Sequence, residues 1–354
     1  MSGKKTVAVG MSGGVDSSVA AYLLMQQGYE VVGITMDFWH NDKPEDIYKN
    51  LSDAYEAKQV CDQLGIRHIP MNFTGEFKKY VEDVFAAEYR KGRTPNPCIV
   101  CNRFVKWEAL LRRAGELGID LVATGHYARI RQVETGRLAV TKARSDSKDQ
   151  TYVLYKLTQE QLRRTLFPIG EYEKTEIRRI ASELGLVIAD KKDSQDICFI
   201  DDGDYAGYLE RRWQGDVPPE GSFVSVDKKP LGRHKGIHHY TIGQRKGLGI
   251  SGEHPYFVCG IDAESDTVIL GEDKDVWGDS LEAEDVNMMG EETFDGERIY
   301  TARIRYSHKG CSCRVSLIGN DRIRVSFLEP VRAVTPGQAV VIYDGDYIVG
   351  GATI

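Results

Sequence analysis

Two groups of residues in this sequence are equipped for chemistry: a glycine-rich loop near the start, and cysteines in settings unlike a protein core. The loop Gly10-Met11-Ser12-Gly13-Gly14-Val15-Asp16-Ser17 follows the apolar run Val7–Val9. Glycines let backbone N–H groups converge on phosphate oxygens, and a helix predicted over Ser17–Gln27 adds its dipole. Two other phosphate loops are excluded. A Walker A loop needs Gly-Lys-Ser/Thr, and no lysine occurs here. A dinucleotide fingerprint needs glycine where Ser12 stands. Asp16 offers carboxylate oxygen to Mg²⁺ beside the phosphates, a favourable charge at a helix start being the alternative.

The seven cysteines are an odd number in 354 residues, which argues against a secreted disulfide framework. Cys98 and Cys101 lie in Gly92–Asn102, where two prolines block helix across most of the segment. Cys101 is expected at the start of a helix, beside Arg103 and Lys106, a setting that favours thiolate. Cys198 follows the basic pair Lys191-Lys192. Cys61 and Cys259 read as small buried apolar residues. Cys311 and Cys313, in a glycine-containing hairpin, read as structural, because no second pair with zinc spacing follows.

Strand-like and helix-like segments alternate through the first 200 or so residues. Strands are predicted at Thr6–Met11, Glu30–Met36, Ile66–Met71 and Asp120–Thr124, with helices between them. That order implies a parallel sheet covered by helices on both faces. After about Asp204 the pattern becomes short β-like runs broken by Gly, Pro and Asp, as in small barrels. The hydrophilic stretch Glu272–Asp285 reads as a separator between two β modules. The expected organisation is an α/β parallel-sheet nucleotide-binding domain at 1–204, a central β-rich domain at 205–276 and a C-terminal β-barrel at 277–354. No apolar run is long enough for a membrane span, so a cytoplasmic protein is expected. The net charge of −7 counts against nucleic acid as a partner. Seven basic residues nevertheless stand against two acidic ones between Glu88 and Arg113, a run that taken alone reads as a solvated helix face.

The string SGGVDS resembles the PP-loop of the ATP pyrophosphatase superfamily, whose members cleave ATP between the α and β phosphates and form an adenylated intermediate. The strings GMSGGVDSS, GRTPNPCIVCN, ATGHYAR, SKDQTYVLY, DSQDICFI, HHYTIGQRKGLGI and TPGQAVV occur in one order from residue 10 to residue 341. Together they resemble the tRNA-specific 2-thiouridylases, which place sulfur in the wobble uridine of certain tRNAs.

The resemblance implies ATP contacts from Gly10, Met11, Ser12, Gly13, Gly14, Val15, Asp16, Ser17, Met36 and Gly125. It makes Cys101 the nucleophile and Cys198 the carrier of a persulfide received from a sulfur-donor protein, such as a cysteine desulfurase or a sulfur-relay protein. Asn96, Pro97 and Cys98 would meet the target base. His126, Lys148, Asp149, Gln150, Arg305, Tyr306 and Gln338 would touch tRNA. Without the resemblance, His126 reads equally as an ordinary strand-end histidine and Lys148–Gln150 as a polar turn. If tRNA binds, the basic stretch Arg90–Arg113 should face it, with Arg178, Arg179, Lys191 and Lys192 as additions. The implied chemistry transfers AMP to the uridine C2 oxygen, and sulfur from Cys198 then displaces it. Cys101 either resolves the carrier afterwards, leaving a Cys101–Cys198 disulfide, or cleaves the persulfide first. A mobile segment carrying Cys198 is expected. One departure concerns Cys98, where some relatives have aspartate. Cys98, Cys101 and Cys198 could instead hold three irons of a [4Fe–4S] cluster. Rival readings are another PP-loop enzyme, such as an amidotransferase-type or lysidine synthetase, and a non-enzymatic RNA-binding protein with a degenerate nucleotide domain.

Overall fold

The computed structural model describes residues 4–38, 52–191, 197–200, 203–319 and 321–354. Five parallel strands build the first sheet: β1 (Thr6–Gly10), β2 (Glu30–Asp37), β3 (Arg67–Asn72), β4 (Leu121–Ala123) and, later in the chain, β7 (Thr165–Leu166). Their order is β3-β2-β1-β4-β7, so the chain winds one way from β1 and then returns to its other side. Side chains alternate across β1. Val7 and Val9 pack on the helices Val15–Gln26, Ser52–Leu64 and Lys174–Glu183, while Ala8 faces Phe73, Phe77 and Trp107 on the other side. The expected two-faced parallel sheet is therefore present. The reversal of strand order between β1 and β4 opens a crevice at their carboxyl ends, where such sheets bind ligands. The loop after β1 and residues Thr124–His126 after β4 both lie there.

The central module is a four-stranded sheet of order β10-β11-β8-β9, with β8 at Gly221–Ser225, β9 at Pro230–His234, β10 at Phe257–Asp262 and β11 at Thr267–Gly271. Phe223, Val258, Val268 and Leu270 fill its core.

The C-terminal module is a closed barrel. Its strands are β12 (Trp277–Met288), β13 (Tyr300–Arg303), β14 (Cys311–Ile318), β15 (Arg322–Arg332), β16 (Ala339–Asp344) and β17 (Tyr347–Thr353), and a β12–β17 pairing closes the ring. The stretch expected to be a separator is thus mostly strand. In β12, Leu281 and Ala283 point into the barrel while Glu282 and Glu284 face outward, Glu282 pairing with Arg322 and Arg324. Its hydrophilic composition comes from one solvated face and does not mark a linker. Cys313 is buried in the barrel core and Cys311 is half-buried beside it.

A hairpin absent from the sequence expectations joins the two ends of the chain. β5 (Ala128–Gln132) and β6 (Leu138–Lys142) leave the nucleotide sheet and extend the barrel sheet through β17, with Thr141 opposite Tyr347. Arg137 donates to the carbonyls of Met289 (2.8 Å) and Met288 (3.1 Å), and Asn287 donates to the carbonyl of Tyr155 at 2.6 Å. Among the described residues no helix is long and apolar enough to cross a membrane.

Tight packing at this joint is testable. A Cβ on Gly351 would lie 2.7 Å from both the Tyr155 ring and the Val340 carbonyl. Gly351→Ala should therefore overpack the joint, cost ~1–3 kcal/mol and lower the thermal midpoint. An unchanged melting curve would show that the joint has room to spare.

Candidate active site

The glycine loop is shaped by what presses on it. Gly13 has φ +65°, and a Cβ there would lie 2.5 Å from the Asp53 carbonyl. Gly14 caps the helix Val15–Gln26 without any side-chain hydrogen bond, so the first-turn N–H groups face the loop uncapped. The Ser17 hydroxyl donates to the Gly14 carbonyl at 3.1 Å and receives the Ser12 amide at 3.3 Å. Gly125, after β4, packs so closely that a Cβ would lie 2.6 Å from the Ser17 nitrogen. Met36 stands half-buried at the end of β2, within 3.7 Å of where a Gly10 Cβ would be. Bare N–H groups, two hydroxyls and a floor without side chains suit a polyphosphate.

Asp16 is differently engaged. Both its oxygens receive Lys174 Nζ, at 2.7 and 2.8 Å, and one also receives the Tyr127 hydroxyl at 2.8 Å. A magnesium ion on this carboxylate would have to displace an ammonium already in place, so the residue does not fit the role of a ready metal ligand.

From Gly125 the structure leads directly to the cysteines. His126 accepts or donates a 2.8 Å hydrogen bond with Thr124 and tilts against Trp107 at 5.5 Å. Burial, with Lys106 nearby, holds the His126 imidazole well below its ordinary pKa, so it is neutral. Trp107 belongs to a helical run at 97–116. The run starts where the Asn96 side chain receives the Cys98 amide at 3.1 Å, with Pro97 at its first position. Cys101 therefore lies one turn inside this helix and not at its start.

Between Cys101 and Ala109 the run is wound as a π-helix. An α-helix would set residues five apart roughly 140° from each other. The wider π turn bonds residues five apart and brings Lys106 around to the face of Cys101. Lys106 lies within electrostatic reach of Cys98, Cys101, Cys198 and His126.

Here the expectation of an activated thiolate at Cys101 is corrected. Burial pushes its thiol up to about 12, and Lys106 only opposes that rise. Cys98 and Cys198 are also raised by burial and opposed by Lys106, although both residues are partly open to solvent. Desolvation outweighs one ammonium because the sulfur anion has lost its water. All three are free thiols.

Cys198 is held in place by its neighbour. Phe199 packs edge-on to Phe85 at 5.3 Å and Phe77 at 5.6 Å, and it lies 5.2 Å from the Tyr208 ring. Ile200 is buried behind it. The four described residues 197–200 are thus docked; residues 193–196 of the string DSQDICFI lie outside the described residues.

The barrel and the central module close over the Cys98 loop. The Gln338 amide donates to the Thr94 carbonyl at 2.8 Å, the Thr94 amide donates to Pro336, and the Thr94 and Thr241 hydroxyls lie 3.1 Å apart. Tyr306 is within electrostatic reach of Cys98 and Lys148, and its hydroxyl donates to the Asp149 carbonyl. Asp149 is buried on Arg303 at 2.9 Å, and the Gln150 side chain receives the Tyr127 amide at 2.8 Å. Asp149, Gln150 and Gln338 therefore each have an internal partner. An open groove of ≈ 240 Å³ runs beside them, lined by Arg305 and Gln338 together with Thr241, Gly243 and Arg332. Thr241 and Gly243 belong to the quoted string HHYTIGQRKGLGI but were not singled out; Arg332 carried no sequence signal.

The basic stretch is not an unopposed stripe. Arg90 pairs with Asp216, Lys91 and Arg93 with Glu88, Arg103 with Glu108, and Arg112 and Arg113 with Glu76. Arg179 pairs with Glu183 and Lys191 with Asp53 and Glu56; Lys192 lies outside the described residues. Of the seven between Glu88 and Arg113, Lys106 is the one without an acidic partner among the described residues.

That isolation has a measurable consequence. Removing the ammonium leaves burial unopposed and moves the thiols further up. Lys106→Met should slow alkylation of Cys98 and Cys198 several-fold at about pH 8 and shift the rate profile to higher pH. An unchanged profile would show that Lys106 exerts no hold on these thiols.

Comparison with known proteins matches every part of the chain. Residues 5–202 match the family model described as tRNA methyl transferase HUP domain. Residues 208–272 match the tRNA methyl transferase PRC-barrel domain, and residues 278–354 the aminomethyltransferase beta-barrel domain. The tRNA-specific 2-thiouridylase MnmA of Lachnoclostridium phytofermentans is 50% identical over 355 residues, covering 99% of each chain. That of Clostridioides difficile is 48% identical over 354 residues, covering 99% of this chain and 98% of its own. That of Acetivibrio thermocellus is 47% identical over 357 residues, covering 99% of each. With half of its residues shared along its full length, the chain belongs to the tRNA-specific 2-thiouridylase family.

Proposed function

We propose that this protein is a tRNA-uridine 2-sulfurtransferase that uses ATP to adenylate the C2 oxygen of a wobble uridine and replaces that oxygen with sulfur. The observation that carries the reading is the short path from the glycine loop, through Gly125 and His126, to three thiols around Lys106. A loop for ATP alone would serve many reactions. Thiols beside the same loop supply the sulfur chemistry.

The C2 oxygen of uridine is a poor leaving group. In the first step it attacks the α phosphorus of ATP and pyrophosphate leaves. The uncapped N–H groups after Gly14, with Ser12 and Ser17, hold the phosphates. Asn96, Pro97 and Cys98 face the base, and Arg305 and Tyr306 with Lys148 flank the tRNA. Asp149, Gln150 and Gln338 keep the walls of that surface in place, and His126 contributes a neutral ring suited to hydrogen bonding or stacking. The C-terminal barrel, 277–354, and the central unit, 205–276, grip the tRNA while 1–204 does the chemistry.

In the second step the outer sulfur of a Cys198 persulfide, supplied by a sulfur-donor protein, attacks C2. Cys101 as thiolate attacks the inner sulfur on Cys198, the S–S bond breaks toward the base, and AMP leaves with the C–O bond electrons. A Cys101–Cys198 disulfide remains and an external dithiol must reduce it. In the variant order Cys101 cleaves the persulfide first and hydrosulfide attacks C2. Burial suits either order, since water would hydrolyse the adenylate, and it keeps Cys101 protonated until substrate arrives.

Three thiols in mutual reach also favour a second reading. Cys98, Cys101 and Cys198, which influence one another electrostatically, offer the soft donors that three irons of a [4Fe–4S] cluster would need, and its open iron would hold sulfide in place of a persulfide.

With ATP labelled at the α phosphate, AMP should appear only when tRNA is present; tRNA-independent release, or none, would sink the adenylation step. Cys198→Ser should still release pyrophosphate yet produce no thiolated tRNA. Anaerobic reconstitution followed by iron and sulfide assay separates the two sulfur routes. About four irons per chain would establish the cluster, and none would leave the persulfide.

A further inference from the structure

The string HHYTIGQRKGLGI contributes Thr241 and Gly243 to the groove, but the histidines at its start face elsewhere. His238 and His239 end the short turn Ile237–His239, which meets the helix Tyr205–Trp213 through the His238 ring against Trp213. The Nε2 atoms of both histidines lie 3.2 Å from the same Glu210 oxygen, Oε1. All three atoms lie within 4.8 Å of one another.

Two ligands bound at about 2.1 Å to a tetrahedral ion are roughly 3.4 Å apart. Two of the three separations here already have that size. The His238 side chain is 0% exposed and stands perpendicular to Trp213 at 5.3 Å, so its ring direction is fixed by packing. His239 is 26% exposed and Glu210 43%, which leaves a path for an ion to enter. No lysine or arginine among the described residues pairs with Glu210, so its charge is met only by the two imidazoles. One carboxylate with two imidazoles is a donor set suited to zinc.

We propose that Glu210, His238 and His239 form a zinc site, with water as the fourth ligand, separate from the thiols. The site joins the helix Tyr205–Trp213 to the central module. That helix also carries Tyr208, whose ring holds Phe199 next to Cys198. Metal at Glu210 therefore steadies the platform on which the sulfur carrier is seated.

The test uses the full-length chain with any affinity tag removed and with Cys98, Cys101 and Cys198 changed to serine, so that these thiols cannot compete. Cobalt(II) titration should give one equivalent with the intense visible absorption of a tetrahedral site, displaced by zinc. Zinc should raise the thermal midpoint. His239→Ala and Glu210→Gln, both at partly exposed positions, should each weaken binding at least tenfold and remove the thermal shift. Failure to bind a stoichiometric ion, or an affinity left unchanged by both substitutions, would overturn the assignment.

Discussion

Desolvation is the constraint on which this site rests. Three sulfurs are drawn into protein surroundings where the anion is costly, and a single ammonium offsets part of that cost. The surrounding architecture serves this balance. Asn96 and Pro97 start the helix early enough to bury Cys101, the π turn brings Lys106 round to the same face, and Phe199 seats Cys198 opposite. The other cations of the stretch are tied to carboxylates, which leaves Lys106 as its member without an acidic partner among the described residues.

Much of the nucleotide half is legible in the sequence because its signals are local. A strand, a glycine loop and an amphipathic helix can each be read within a dozen residues, and the structure has them where β1, Gly13 and Val15–Gln26 stand. The thiol environment is not local. A sequence shows that Cys101 has basic neighbours, but not that the chain will bury it, and burial reverses the direction of the shift. The neutralisation of much of the Arg90–Arg113 stretch is equally non-local. Its partners Glu76 and Asp216 lie outside the run, and folding brings them in.

The β half was legible as a class more than as a set of strands. β12 was hidden because its outward residues are acidic, and β5 because Arg129 and Arg131 alternate with Ala128 and Ile130. In both, the apolar half of the alternation is short and the polar half dominates composition. A reading based on composition sees a linker, whereas period two reveals a strand with one wet face.

The β5–β6 hairpin also bears on how such a chain is made. β6 meets β17 across some two hundred residues, with Thr141 opposite Tyr347. During synthesis the nucleotide sheet is complete long before that partner exists, so for most of translation β6 presents an open edge. Unpaired edges invite strands from other chains. β17 is therefore the cap that ends this exposure. A chain stalled before β17 would keep this adhesive edge uncovered.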